Sequence, residues 1–178
     1  TTRGAILYAI KFAAYRLVIA LAMRRAEHII TVSRFTAQDI LTHVPSARGK
    51  ISVTYEAADA VCQWLSLEEE YALLDRLNLL HIKQIEMPIK ITRDILYPYL
   101  LYVGNAYPHK NLEALLRAAH IFPTYIFILV GKEDYFYARL KKIAKVQGLK
   151  NILFAGFVND RELHTLYRFA WCYLFPSL

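Results

Sequence analysis

The sequence predicts an α/β fold built around a mainly parallel sheet, and three observations carry that prediction. Of the 178 residues 56% are apolar, with a mean hydropathy of +0.25, so the chain can bury a real core. From residue 99 onward, short β-branched and aromatic runs alternate with segments of helical periodicity, the pattern of right-handed βαβ units. Those short runs are apolar almost without interruption, as strands covered on both faces must be.

Residues 5–27 are rich in Ala, Leu and Ile and contain no Pro, which predicts one long helix ending near Arg24, Arg25 and Glu27. The apolar part of this stretch is close to the length that spans a bilayer, but Lys11 and Arg16 interrupt it at well-separated angles. A domain helix, an interfacial helix and a membrane span all remain open. No small-residue cleavage pattern follows, which argues against a cleaved signal peptide. Residues 28–32 read as a strand, and Ser33 caps a helix over 35–43 that stops before Pro45. A second strand follows over 50–55.

Residues 66–80 begin with Glu68, Glu69 and Glu70 and then place Leu73, Leu74, Leu77 and Leu80 at helical spacing, an amphipathic helix. Periodicity is lost over 83–98, where Pro88 and Pro98 block regular structure, and the domain boundary is placed there. Strands are then expected over 99–103, 125–130, 152–154 and 171–175, with helices over 112–120, 135–147 and 160–169. The first residue is Thr, and Leu178 closes an apolar run without a polar tail or cap, so both ends read as cuts.

The formal charge of +7 favours anionic partners, but the basic residues are scattered and do not interleave with aromatics as a single-strand platform would. Nucleic acid is therefore not an expected partner. Cys62 and Cys172 lie far apart in apolar surroundings without metal or redox spacing. Both are expected to be buried, and their scarcity suits a reducing cytoplasm. Six dispersed histidines offer no metal-binding pair, and no base stands near Ser33 or Ser177 to form a nucleophilic triad.

In an open parallel sheet, ligands lie beyond the carboxyl ends of the strands, which singles out the loops over 104–111, 131–134 and 156–160. Each begins with a glycine (Gly104, Gly131, Gly156), which suits either a tight turn or close approach to a ligand. The first loop contains Asn105, His109 and Lys110 and leads into a helix start, a combination that favours a phosphate. It has neither a GxGxxG nor a Walker pattern, so an ordinary dinucleotide fold or P-loop kinase is not supported.

These same residues carry a family resemblance. Residues 25–36 (RAEHIITVSRFT) resemble the segment that ends the amino-terminal Rossmann-like domain of glycosyltransferase family 4, also called group 1, and residues 50–59 (KISVTYEAAD) resemble its strand and turn near the interdomain hinge. The most specific match is residues 99–112 (YLLYVGNAYPHKNL), which resemble the start of the donor-binding domain. It is followed in family order by 129–131 (LVG), 152–158 (ILFAGFV) and 175–178 (FPSL).

The resemblance implies a GT-B fold of two Rossmann-like domains with parallel sheets flanked by helices, of which this chain would be a fragment. Residues 1–59 would end the acceptor-side domain, 60–98 would supply a helix and the connection, and 99–178 would form the first half of the donor-binding domain. It implies a retaining glycosyltransferase that moves a hexose, mannose or similar, from a nucleoside diphosphate sugar to a glycan or glycolipid, with no metal or other cofactor.

By resemblance, Gly104, Asn105, His109 and Lys110 would hold the donor diphosphate, and Gly131, Lys132, Gly156, Phe157, Val158 and Asp160 the nucleotide. In the family the PS step of residues 176–177 leads into two glutamates that contact the donor. The catalytic residues are thus expected outside this sequence, and the fragment alone is expected to be inactive. Asn105 stands where many members carry Arg, which leaves Lys110 as the loop's cation. The expected setting is the cytoplasm, with possible peripheral contact at the inner face of the cell membrane. A nucleotide-sugar 2-epimerase and a non-catalytic nucleotide-binding domain of the same fold are the alternatives.

Overall fold

A computed structural model describes residues 2–57, 63–81 and 90–178, which fall into two compact units, Thr1–Ala60 and Val61–Leu178. Cys62, the end of the 56–59 turn and residues 83–89 of the expected boundary, Pro88 among them, lie outside the described residues.

The first unit begins with helix α1 (Thr2–Arg25), followed by strand β1 (Ile29–Thr31), helix α2 (Arg34–His43) and strand β2 (Ile51–Val53). The strands pair in parallel, Ile29 opposite Ile51 and Thr31 opposite Val53. Ser33 caps α2 as expected, its hydroxyl accepting the Thr36 N–H at 3.0 Å. The ammonium of Lys50 donates to the carbonyls of Arg24 (3.1 Å) and Ala26 (2.9 Å), so a cation closes the carboxyl end of α1. The apolar side chains of α1 point in every direction. Residues Ile6–Arg25 are long and apolar enough to cross a membrane, with mean hydropathy 1.8 and none of them buried.

The second unit comprises helix α3 (Leu67–Arg76), strand β3 (Tyr99–Val103), helix α4 (Glu113–Ile121), strand β4 (Ile126–Val130), helix α5 (Tyr135–Val146), strand β5 (Ile152–Gly156), helix α6 (Asp160–Phe169) and strand β6 (Cys172–Tyr173). The four strands are parallel in the order β5-β4-β3-β6. Because side chains alternate along a strand, Tyr99, Leu101, Ile128 and Val130 enter one core with α3 and α6. Tyr102, Phe127 and Leu129 enter the other with α4 and α5. Both sheet faces are thus covered, which is why these strands read as continuous apolar runs.

Helix α3 starts at a capping box, in which Ser66 accepts the Glu69 N–H and the Glu69 carboxylate accepts the Ser66 N–H. It is shorter than expected, because Asn78 adopts a left-handed conformation (φ 52°) that turns the chain out of the helix. Leu73, Leu74, Leu77, Leu79 and Leu80 pack into the core of the second unit, so the helix assigned to the connection contributes to that core. Three ion pairs also join α3 to α6, namely Glu69 with Arg161 at 2.7 Å, Glu70 with Arg168 at 2.9 Å and Arg76 with Glu162 at 2.8 Å.

Cys172 is exposed, contrary to the expectation that both cysteines are buried. It lies on β6, which among the described residues pairs on one side only, with β3.

Candidate functional site

Parallel pairing brings the carboxyl ends of β3, β4 and β5 to one edge, and the three glycine loops with them. Two backbone hydrogen bonds run along this edge. The Gly104 N–H donates to Val130 and the Gly131 N–H to Gly156, each at 2.9 Å. The three glycines are required for different reasons. A Cβ on Gly131 would overlap the Gly104 carbonyl and the Tyr137 ring, and one on Gly104 would lie 2.8 Å from the Tyr102 hydroxyl. Gly156 has open space around it and a φ of +71°, so conformation alone selects it.

The first loop is shaped by two buried tyrosines that sequence reading did not single out. Tyr102 donates to the Asn105 carbonyl at 2.7 Å, while Tyr137 donates to the carbonyls of Gly104 at 2.8 Å and Val130 at 3.2 Å. Burial pushes the Tyr102 hydroxyl up to about 12 and raises that of Tyr137, so both remain proton donors at neutral pH. The side-chain oxygen of Asn105 accepts the Tyr107 N–H at 3.3 Å, so Asn105 holds the loop's shape.

Next, a single 3-10 turn over Pro108–Lys110 leads to Asn111 in a left-handed conformation (φ 53°), and α4 starts at Glu113. Leu112 is the N-cap of α4, so the helix begins within one residue of the expected start. Asn111 donates through its side-chain amide to the Pro176 carbonyl at 3.1 Å, and the Leu178 N–H donates to the His109 carbonyl at 3.0 Å. The Lys110 ammonium lies 5.3 Å from the centre of the Phe175 ring. These contacts bring residues 175–178 against the first loop. Among the described residues Lys110 joins no ion pair, and the buried Ser177 Oγ has no hydrogen-bond partner. A buried hydroxyl without a partner is unusual, and sequence periodicity gives no sign of it.

The other candidates divide. Lys132 is exposed in the turn after β4. Two of the amides at the start of α5 are already engaged, because Asp134 accepts both the Phe136 and Tyr137 N–H groups at 2.9 Å. In the loop after β5, Phe157 is 82% exposed, whereas Val158 is buried in the core and can offer a ligand only its backbone. Asp160 is exposed at the first position of α6, beside a capping box formed by Asn159 and Glu162.

A parallel sheet with helices on both faces and glycine turns along its carboxyl edge defines a doubly wound α/β protein, a class in which ligands lie beyond that edge. The profile described as "Glycosyl transferases group 1" matches residues 86–178, more than half of the chain, and the chain belongs to that family.

Among curated relatives, the Serotype-specific mannosyltransferase WbdA of Escherichia coli is 25% identical over 86% of this chain and 18% of its own length. The O-antigen chain mannosyltransferase RfbU of Salmonella typhimurium is 23% identical over 92% of this chain and 39% of its own. The chain therefore spans well under half of the curated relatives it matches.

Among solved structures, sucrose-phosphate synthase from Thermosynechococcus elongatus superposes with a TM-score of 0.68 at 19% identity, covering 93% of this chain and 38% of that one. Anabaena Alr3699/HepE in complex with UDP gives 0.66 at 19% identity, covering 91% and 41%. These likenesses place the chain within the GT-B glycosyltransferase fold, of which it covers a part.

Proposed function

We propose that the protein to which this chain belongs is a retaining glycosyltransferase that moves a hexose, mannose or similar, from a nucleoside diphosphate sugar to a glycan or glycolipid. The observation that carries this reading is Lys110, an unpaired cation between the glycine loop and residues 175–178 at the sheet's carboxyl edge. A phosphate placed there meets the Lys110 ammonium, with Gly104 and Asn105 shaping the loop and His109 exposed beside it. The loop after β5 offers a base the exposed Phe157 ring, the Gly156 and Val158 backbone and the Asp160 carboxylate. Gly131 and Lys132 lie between the two loops.

The relatives' names as mannosyltransferases support the choice of sugar, and a relative seen with UDP supports a nucleotide donor. Independence from metal rests on the family resemblance, with a lysine countering the diphosphate charge. We further propose a cytoplasmic protein at the inner face of the membrane, supported by the exposed apolar α1 with Lys11, Arg16, Arg24 and Arg25. Calorimetric titration of a full-length protein carrying this sequence with UDP and GDP tests the donor site. Binding of either, weakened by Lys110→Ala, is expected, and an affinity unaffected by that change refutes the assignment.

A further inference from the structure

At the opposite pole of the second unit lies a surface that the proposed reaction does not use. The carboxyl ends of α4 and α5 flank a depression of about 460 Å³ lined by Leu116, Arg117, His120, Ile121 and Gln147. It adjoins a second depression of about 680 Å³ that shares His120 and Gln147 and adds Lys150. No acidic residue lines either one.

Around them Arg117, Lys142, Lys145 and Lys150 are exposed, and among the described residues none of the four joins an ion pair. The acids of α4, α5 and the turn before α5, Glu113, Glu133 and Asp134, lie at the amino ends of the two helices, and the first two are paired there with Arg139 and Lys141. Large apolar side chains project among these cations, with Val146 80%, Ile121 68% and Phe122 52% exposed.

Helix dipoles account for a cation in a last turn, such as Lys145, but not for Lys142 or Lys150, nor for three apolar side chains held in water beside them. Cations surrounding apolar tips match the layered chemistry of an anionic bilayer, with phosphates at the surface and hydrocarbon a few ångströms below. We infer that the carboxyl ends of α4 and α5 dock on an anionic phospholipid surface, with Ile121, Phe122 and Val146 entering the interface and Arg117, Lys142, Lys145 and Lys150 meeting the headgroups. This surface belongs to the second unit alone and is independent of α1 and of the donor site.

Flotation with vesicles of phosphatidylcholine, alone or mixed with an equal part of phosphatidylglycerol, tests the inference on the full chain. Two variants are compared: Arg117→Glu/Lys142→Glu/Lys145→Glu/Lys150→Glu, and Ile121→Ser/Phe122→Ser/Val146→Ser. All substituted side chains are exposed, so circular dichroism should show the fold unchanged. The unaltered chain should bind the anionic vesicles, and the charge variant should bind them more weakly, keeping only what α1 contributes. The apolar variant should also lose binding, although its charges are intact.

Failure of the unaltered chain to bind overturns the inference. So does undiminished binding by the charge variant, which would assign the membrane contact to α1. Loss in the charge variant with full binding by the apolar variant overturns it as well, because it describes a general polyanion surface, such as one for nucleic acid. None of these outcomes bears on Lys110 or nucleotide affinity.

Discussion

The hydroxyl of Tyr137 donates to the Gly104 carbonyl at 2.8 Å, tying the first turn of α5 to the turn after β3. Tyr137→Phe keeps the ring in the core and removes only that donor and its second bond to Val130. The loss should cost about 1–2 kcal/mol, read as a lower urea midpoint at unchanged slope. Because the same bond shapes the Gly104 loop, nucleotide affinity in a full-length protein should fall as well.

Gly131→Ala should cost roughly 3 kcal/mol, because the new methyl meets backbone and a buried ring, neither of which can move aside. Gly148→Ala makes a useful contrast. Its position has φ +67° and empty space, so only the conformational cost of about 1–2 kcal/mol applies. Equal unfolding midpoints for the two variants would contradict this account.

Lys110→Ala should lower turnover more than donor affinity, since the leaving nucleoside diphosphate gains charge as the bond breaks. With Asn105 occupied in holding its own loop, no second cation stands in residues 104–111. A loss of roughly 100-fold in turnover at saturating donor, about 3 kcal/mol, is expected. Lys110→Arg should recover only part of it, because a planar fork does not replace a point charge. Steady-state kinetics of the full-length enzyme check both.

Phe157 and Val158 are separable by stability. Val158→Asp places a carboxylate in the core of the second unit and should cost about 3 kcal/mol or more, so it cannot probe ligand binding. Phe157→Ala removes an exposed ring and should leave stability within about 0.5 kcal/mol. Any change it makes in nucleotide affinity then reports contact with the base.

Much of the second unit was legible because its signals are local. The bounds of β3 and α6 emerge from the apolar run over Tyr99–Val103 and from the cap before Asp160. What periodicity misses is set by single backbone turns and distant partners. Asn78 takes a left-handed conformation that ends α3 before Leu80, and it does not depart from an otherwise helical pattern in sequence. Gly156 likewise decides which of Phe157 and Val158 faces the core, a choice that residue size does not reveal.

In the candidate site, Lys110 draws attention only through the family resemblance of residues 99–112, since taken alone it reads as a surface lysine. The supports from Tyr137 and residues 175–178 depend on strand order and are therefore invisible along the chain. Cys172 was misjudged for the same reason, since an apolar neighbourhood in sequence does not show that its strand pairs, among the described residues, on one side only.

The side-chain amide of Asn151 donates to three carbonyls, those of Ala119 (2.9 Å), Phe122 (3.2 Å) and Tyr125 (3.0 Å), which together span the turn from α4 into β4. All three acceptors are backbone atoms, so these bonds place no demand on the side chains of Ile121, Phe122 and Thr124. The spacing is not free. One residue added or removed between Ala119 and Tyr125 would carry acceptors out of reach of a single amide, so this turn should accept substitution readily and changes of length hardly at all.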